Sequence, residues 1–136
     1  MKRAQIIINS IEEHSEGIKI IKELVPEIIK LSDEIKNCFK KGKKLLICGN
    51  GGSASDAQHL SSELTGYFEQ KRNGLPALAL TTDTSAITAI GNDFGFDNIF
   101  SRQVQAIGCE DDIILLISTS GNSKNILKTI KEARKK

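Results

Sequence analysis

Three short apolar runs, at 44–48, 76–80 and 113–118, most constrain what this chain can fold into. Their hydrophobic residues follow one another almost without interruption, as in strands covered on both faces, rather than alternating with polar ones. Helical periodicity fills the segments 54–70, 84–91, 97–107 and 123–135. Strands that alternate with helices and expose neither face build a parallel sheet between helical layers. The expected fold class is therefore α/β: a three-layer α-β-α domain with a parallel sheet over residues 43–136.

Two further helices are predicted ahead of the sheet, over 3–24 and 26–41. Ile7, Ile8, Ile11, Ile18, Ile21, Leu24 and Val25 recur at steps of three, four or seven. Pro26 separates the helices because it disfavours helical geometry in the residue before it, yet is tolerated in a first turn. Ile28, Leu31, Ile35, Cys38 and Phe39 stripe the second helix, and Gly42 suits its C-terminal cap. These helices carry more apolar side chains than one small sheet can cover. An oligomer interface and packing within one subunit both account for that excess.

At 136 residues the chain is sized for a single domain, and its 39% hydrophobic and 26% charged residues place it among globular rather than disordered chains. A net charge of +2 with interspersed signs does not point to nucleic acid. Lys40-Lys41-Gly42-Lys43-Lys44 and Arg134-Lys135-Lys136 read as helix ends, where cations complement the dipole. An aromatic content of 4% disfavours stacking platforms for bases. Cys38, Cys48 and Cys109 are an odd set without metal spacing, which suits a reducing cytoplasm, and Cys48 reads as a small apolar strand residue. No signal peptide is visible, and no apolar run approaches the ~18–20 residues that span a bilayer, so no membrane partner is expected. The sequence stops at Lys136 directly after a helix, where a doubly wound fold would normally add a strand. The run 113–118 is accordingly expected at a bare sheet edge, either covered by a neighbour or belonging to a shortened domain.

The first and third runs end in loops rich in chemistry. The first gives way to Gly49, Asn50, Gly51 and Gly52, with Ser53 and Ser55 just beyond. The third gives way to Ser118, Thr119, Ser120, Gly121, Asn122 and Ser123. In each case a strand end delivers a polar loop to a helix N-terminus, whose unpaired N–H groups favour an anion. The first loop is neither GxGxxG nor GxxxxGK[ST], so neither dinucleotide nor P-loop chemistry follows. Together the loops predict a phosphorylated polar ligand, with the second the stronger phosphate candidate; Asn122 or Ser123 alone would equally serve as a helix cap. His59 and Glu63 are four residues apart on one predicted helix, so they share a face. Such a pair can ligate a metal, transfer a proton, or simply meet at the surface. Asn92 and Asp93, between Gly91 and Gly95, suit either a turn or hydrogen bonding to sugar hydroxyls. His14 has no partner at useful spacing and reads as a surface residue.

The segments Gly49–His59, Glu63-Leu64-Thr65-Gly66, Gly91–Phe96, Phe100-Ser101-Arg102-Gln103 and Ile117–Ser123 together resemble the sugar isomerase (SIS) domain family, and within it the phosphoheptose isomerases. The resemblance runs from about residue 3 to the last residue. It implies a cytoplasmic homotetramer that isomerises sedoheptulose 7-phosphate to D-glycero-D-manno-heptose 7-phosphate for surface heptose in lipopolysaccharide, capsule or S-layer glycans. It places substrate contacts at Asn50, Gly51, Gly52, Glu63, Asn92, Asp93, Ser118, Thr119, Ser120 and Ser123. His59 and Glu63 would match zinc ligands, one zinc per subunit, with Glu63 also the base. The chemistry agrees: ketose–aldose isomerisation through an enediol needs a carboxylate base and an electrophile for the enediolate, which zinc can supply. The family normally continues with a strand and a helix that carry a Gln and a His completing the metal site. This sequence stops before them, which implies that phosphosugar contacts are partly retained while zinc affinity and turnover are impaired. Two rivals share the loops: a non-catalytic SIS protein that binds a replication initiator, and a regulatory domain that senses sugar phosphates.

Overall fold

A computed structural model describes residues 2–136, which fall into two compact units divided between Lys36 and Asn37. The first unit holds helix α1 (Lys2–Glu23) and most of helix α2 (Val25–Lys40). The break falls at Leu24, two residues before Pro26, so the proline sits in the first turn of α2, where its missing N–H costs nothing. No side chain of α1 is buried, and Ile7, Ile8, Ile11, Ile18 and Ile21 are all exposed.

The second unit is the α/β domain. Its strands are β1 (Leu45–Gly49), β2 (Ala77–Ala79) and β3 (Ile113–Ile117), all parallel in the order β2-β1-β3. β1 is central and every one of its residues is buried, as its unbroken apolar run requires. Its alternating side chains serve two layers. Leu46 and Cys48 face a core of Leu80, Ile99, Phe100, Val104 and Ile126, against which Ile87 and Ile90 also pack. These residues come from or flank helices α4 (Thr84–Phe94), α5 (Ser101–Ile107) and α6 (Lys124–Ala133). Helix α3 (Gly52–Thr65) packs against all three strands and buries Ala57. No helix among the described residues is long and apolar enough to cross a membrane.

Several expected boundaries shift, for local reasons. α3 stops at Thr65 instead of 70, because the Gly66 N–H closes back on the Ser62 carbonyl and the chain then turns over the helix end. There Arg72 donates to the carbonyls of Glu63, Leu64, Gly66 and Asn73, and the Leu75 N–H donates to Leu64. An arginine and the returning chain ahead of β2 thus satisfy carbonyls that every helix leaves unpaired at its C-terminus. α4 runs on past residue 91 through Asn92 and Asp93 to Phe94, since one internal glycine is a tolerable cost in a helix packed along one side. The expected helix 97–107 is a 3₁₀ turn at Phe96–Asn98 followed by α5. Among the described residues β3 pairs with β1 alone, and its five residues are only half-buried.

One buried carboxylate ties the starts of β1 and β3 together. The Asp112 side chain, 3% exposed, accepts hydrogen bonds from Lys44 Nζ at 2.6 Å, Lys44 N at 3.0 Å and Cys109 N at 2.8 Å. Burial alone would raise the Asp112 carboxyl; the bonds from Lys44 and Cys109 outweigh it and hold the group below the usual carboxylate range. The same contact raises Lys44 above the ordinary lysine value, against the opposing effect of burial.

Candidate functional site

Register brings the two loops side by side. Gly49, the last residue of β1, pairs with Ile117, the last residue of β3, so the next residues of both strands leave the same end of the sheet. Open α/β sheets place ligands at that carboxyl end. A Cβ on Gly49 would lie 2.6 Å from the Cβ and carbonyl oxygen of Ser53, so strand end and helix start touch only because the residue is glycine. Gly51 is the N-cap of α3 with φ 55°, a conformation that strains any residue bearing a side chain.

With glycine in that position, α3 begins without a side-chain cap. α6 does too: Ser123 occupies its N-cap but makes no capping bond, and its Oγ lies 3.4 Å from Ser118 Oγ instead. The second loop is held internally, by the Asn122 N–H to Ser120 Oγ at 3.2 Å and Asn122 Nδ2 to the Ser120 carbonyl at 3.0 Å. By contrast α4, which follows neither loop, is capped conventionally by Asp83, which accepts from the Ala86 N–H at 2.9 Å. Neither N-cap residue at the candidate loops bonds through a side chain to the helix it precedes. In α6 the Ile126 N–H goes to Asn125 Oδ1, which leaves those of Lys124 and Asn125 to favour an anion. In α3 the N–H groups of Ser53, Ala54 and Ser55 turn back to the Asn50 and Gly51 carbonyls.

The loops are also tied to each other. Asn50 Nδ2 donates to Asn125 Oδ1 at 2.9 Å, and Asn125 Nδ2 returns a bond to Asn50 Oδ1 at 2.8 Å. Sequence reasoning assigned Asn50 to the ligand and missed Asn125, its main side-chain partner in the fold. The available signal was the inward phase of Asn125, Ile126 and Thr129, all buried in the first turns of α6.

His59 and Glu63 share a face of α3 as their spacing requires, with His59 Nε2 3.2 Å from Glu63 Oε1. The imidazole is 75% exposed and the carboxylate 33%. Ser53 is half-buried and Ser55 exposed in the first turns of the same helix. Gly52 opens α3, while Thr119 and Ser120 are exposed at the second loop. Among the described residues no hydrogen bond links Asn92 or Asp93 to this group. They lie in the last turn of α4 and bond to each other, Asn92 Nδ2 to Asp93 Oδ1 at 2.8 Å. Asp93 lines a separate cleft of about 490 Å³ with Asp83, Phe94, Arg102 and Gln103, where the Arg102 guanidinium stacks 3.7 Å from the Phe94 ring centre.

The donor set bears on a metal. Zinc takes three or four protein ligands, and among the described residues no group of three His, Cys, Asp or Glu side chains is placed to hold one. His59 and Glu63 supply two donors at most. The buried Cys48 thiol is no candidate nucleophile, since burial pushes it up to about 12.

Fold and loops together define a SIS domain, and the family model of that description matches residues 9–136. The phosphoheptose isomerase of Campylobacter concisus is 52% identical over 96% of this chain, which spans 69% of that relative. The one from Geotalea uraniireducens is 52% identical over 85% of the chain, which spans 62% of it. The solved phosphoheptose isomerase of Neisseria gonorrhoeae superposes with a TM-score of 0.88 at 42% identity, covering 99% of this chain and 70% of that one. The chain belongs to the phosphoheptose isomerase family of SIS domains.

Proposed function

We propose that this chain forms the phosphosugar site of a ketose–aldose isomerase that converts sedoheptulose 7-phosphate to D-glycero-D-manno-heptose 7-phosphate. The observation that carries this reading is the pair of Gly- and Ser-rich loops that lead from the ends of adjacent parallel strands into helix N-termini, beside His59 and Glu63 on the first of those helices. The phosphate is received at Ser118, Thr119, Ser120 and Ser123 by hydroxyls and by the first N–H groups of α6, whose dipole replaces a lysine. Gly51, Gly52, Ser53 and Ser55 meet the sugar at the start of α3. Anchoring the far end aligns the reacting carbons, so remote binding serves the chemistry.

Glu63 acts as base, taking a proton from C1 of the ketose, and a proton returns at C2 of the enediol to give the aldose. His59, in contact with the Glu63 carboxylate, orients it and handles the hydroxyl proton. A zinc ion bound at His59 and Glu63 would polarise the carbonyl. These two donors fall short of the three or four protein ligands that zinc takes. Asn92 and Asp93 contact the substrate with the donor and acceptor capacity that their mutual bond leaves free. The exposed isoleucines of α1 fit a homotetrameric assembly, and a cytoplasmic location completes the reading.

The test is isomerisation in D₂O. Sedoheptulose 7-phosphate incubated with the purified chain should yield aldose carrying deuterium at C2, and Glu63→Gln should lower the rate by at least about a hundredfold, as expected for loss of a general base. Absence of aldose, of deuterium incorporation and of heptulose phosphate binding would refute the proposal.

A further inference from the structure

We propose that Asn125 is a positioning residue for this site: its buried amide holds the loop after β1 in register with the loop after β3, so that both ends of one phosphosugar are met at once. The proposal rests on the isomerase reading above. Asn125 is 3% exposed and belongs to the first turn of α6, directly behind the second loop. Its Oδ1 accepts two donors, Asn50 Nδ2 at 2.9 Å and the Ile126 N–H at 2.9 Å, while its Nδ2 donates to Asn50 Oδ1 at 2.8 Å.

The Ile126 N–H settles which way the amide faces, because an N–H can only donate and so requires the oxygen. Asn50 must then present its nitrogen to that oxygen and its own oxygen in return. Only a side chain with both a donor and an acceptor in one plane closes such a ring, and asparagine on each side supplies it. The pair spans 75 positions of sequence and crosses between two elements that share no covalent constraint nearby. The second loop does not need this contact for its own shape. Its turn is closed by Ser120 with Asn122 and by Ser118 with Ser123. What Asn125 adds is the placement of one loop relative to the other.

Substitution should therefore separate two affinities. In Asn125→Ala the second loop keeps its internal bonds, so inorganic phosphate should bind within about twofold of the unaltered chain. Heptulose 7-phosphate, which must engage both loops, should bind about tenfold or more weakly, the scale of one well-made polar contact. Asn125→Ser is also uncharged and loses the paired amide but keeps a short hydroxyl at the start of α6, so it should lose heptulose 7-phosphate as the alanine does; it also guards against failure of the alanine variant to fold. Titration calorimetry with inorganic phosphate and with sedoheptulose 7-phosphate reads both affinities, with circular dichroism checking the fold. Equal affinities for heptulose 7-phosphate in all three proteins would overturn the proposal. So would a parallel loss of both ligands in a folded variant, which marks general damage to the site. An unaltered chain that binds no heptulose 7-phosphate would overturn the isomerase reading, and the proposal with it.

Discussion

Replacing Asp112 by asparagine keeps the shape of the side chain and removes its charge, which makes it a direct probe of what ties β1 to β3. The carboxylate receives three hydrogen bonds, from the Lys44 ammonium and from the amides of Lys44 and Cys109, and is almost wholly buried. Charge-assisted bonds are roughly twice as strong as neutral ones, and each bond to a charged group contributes about 1.5–3 kcal/mol net. The Lys44 side chain is 30% exposed, so solvent screening lowers its share. Asp112→Asn should thus cost about 1–2 kcal/mol at pH 7, and Asp112→Ala about 2–4 kcal/mol, because the alanine also leaves two amides unpaired. Such losses are a large fraction of the total stability of a small domain.

The pH dependence carries the sharper test. Asp112 is held below the usual carboxylate value in the folded chain. Its stabilisation is therefore fully present above the unfolded value of about 3.9 and is lost as pH falls through the folded value. Urea unfolding of the unaltered chain and of Asp112→Asn at pH 7 and again near pH 2–3 measures the gap at each. Other carboxylates titrate alike in both proteins and cancel in the difference. The gap should narrow as the pH falls; a gap of constant size would show that the charge of Asp112 contributes nothing and would refute the reasoning.

Three further outcomes test the packing and the site. Phe100→Ala, which empties the core against Leu46 and Cys48, should cost about 3–5 kcal/mol in thermal or urea unfolding. Arg72→Ala should fray the last turn of α3, costing about 1–2 kcal/mol on the scale of a lost helix cap, with hydrogen exchange accelerated at residues 63–66 and unchanged in β1. Ser123→Ala should weaken phosphate binding several-fold with little effect on stability, because the Ser123 hydroxyl makes no capping bond; a stability loss like that of a missing N-cap would place it in the helix cap instead.

The sheet was legible because burial on two faces writes itself into sequence as unbroken apolar runs, and β1 and β3 occur where Leu45–Cys48 and Ile113–Ile117 announce them. Loop chemistry was legible for a related reason: Gly49 and Gly51 are demanded by close approach and by positive φ, needs that few other residues meet. The pairing of His59 with Glu63 followed from helical spacing alone. Contacts made at long range were not. Nothing local to Asn125 announces that it faces Asn50, and nothing local to Arg72 announces that it seals the end of α3 at Thr65. The end of α4 was placed too early because Gly91 reads as punctuation in sequence, whereas packing of Ile87 and Ile90 on the core carries the helix through to Phe94.

The central claim is that the two loops at the ends of β1 and β3 receive a single phosphosugar. Titrating sedoheptulose 7-phosphate into the ¹⁵N-labelled chain and following its amide resonances tests this most directly. Concerted shifts are expected at residues 50–53 and at 119–124, with smaller changes around His59 and Glu63. Shifts confined to the cleft lined by Asp93 and Arg102, or at only one of the two loops, would contradict it.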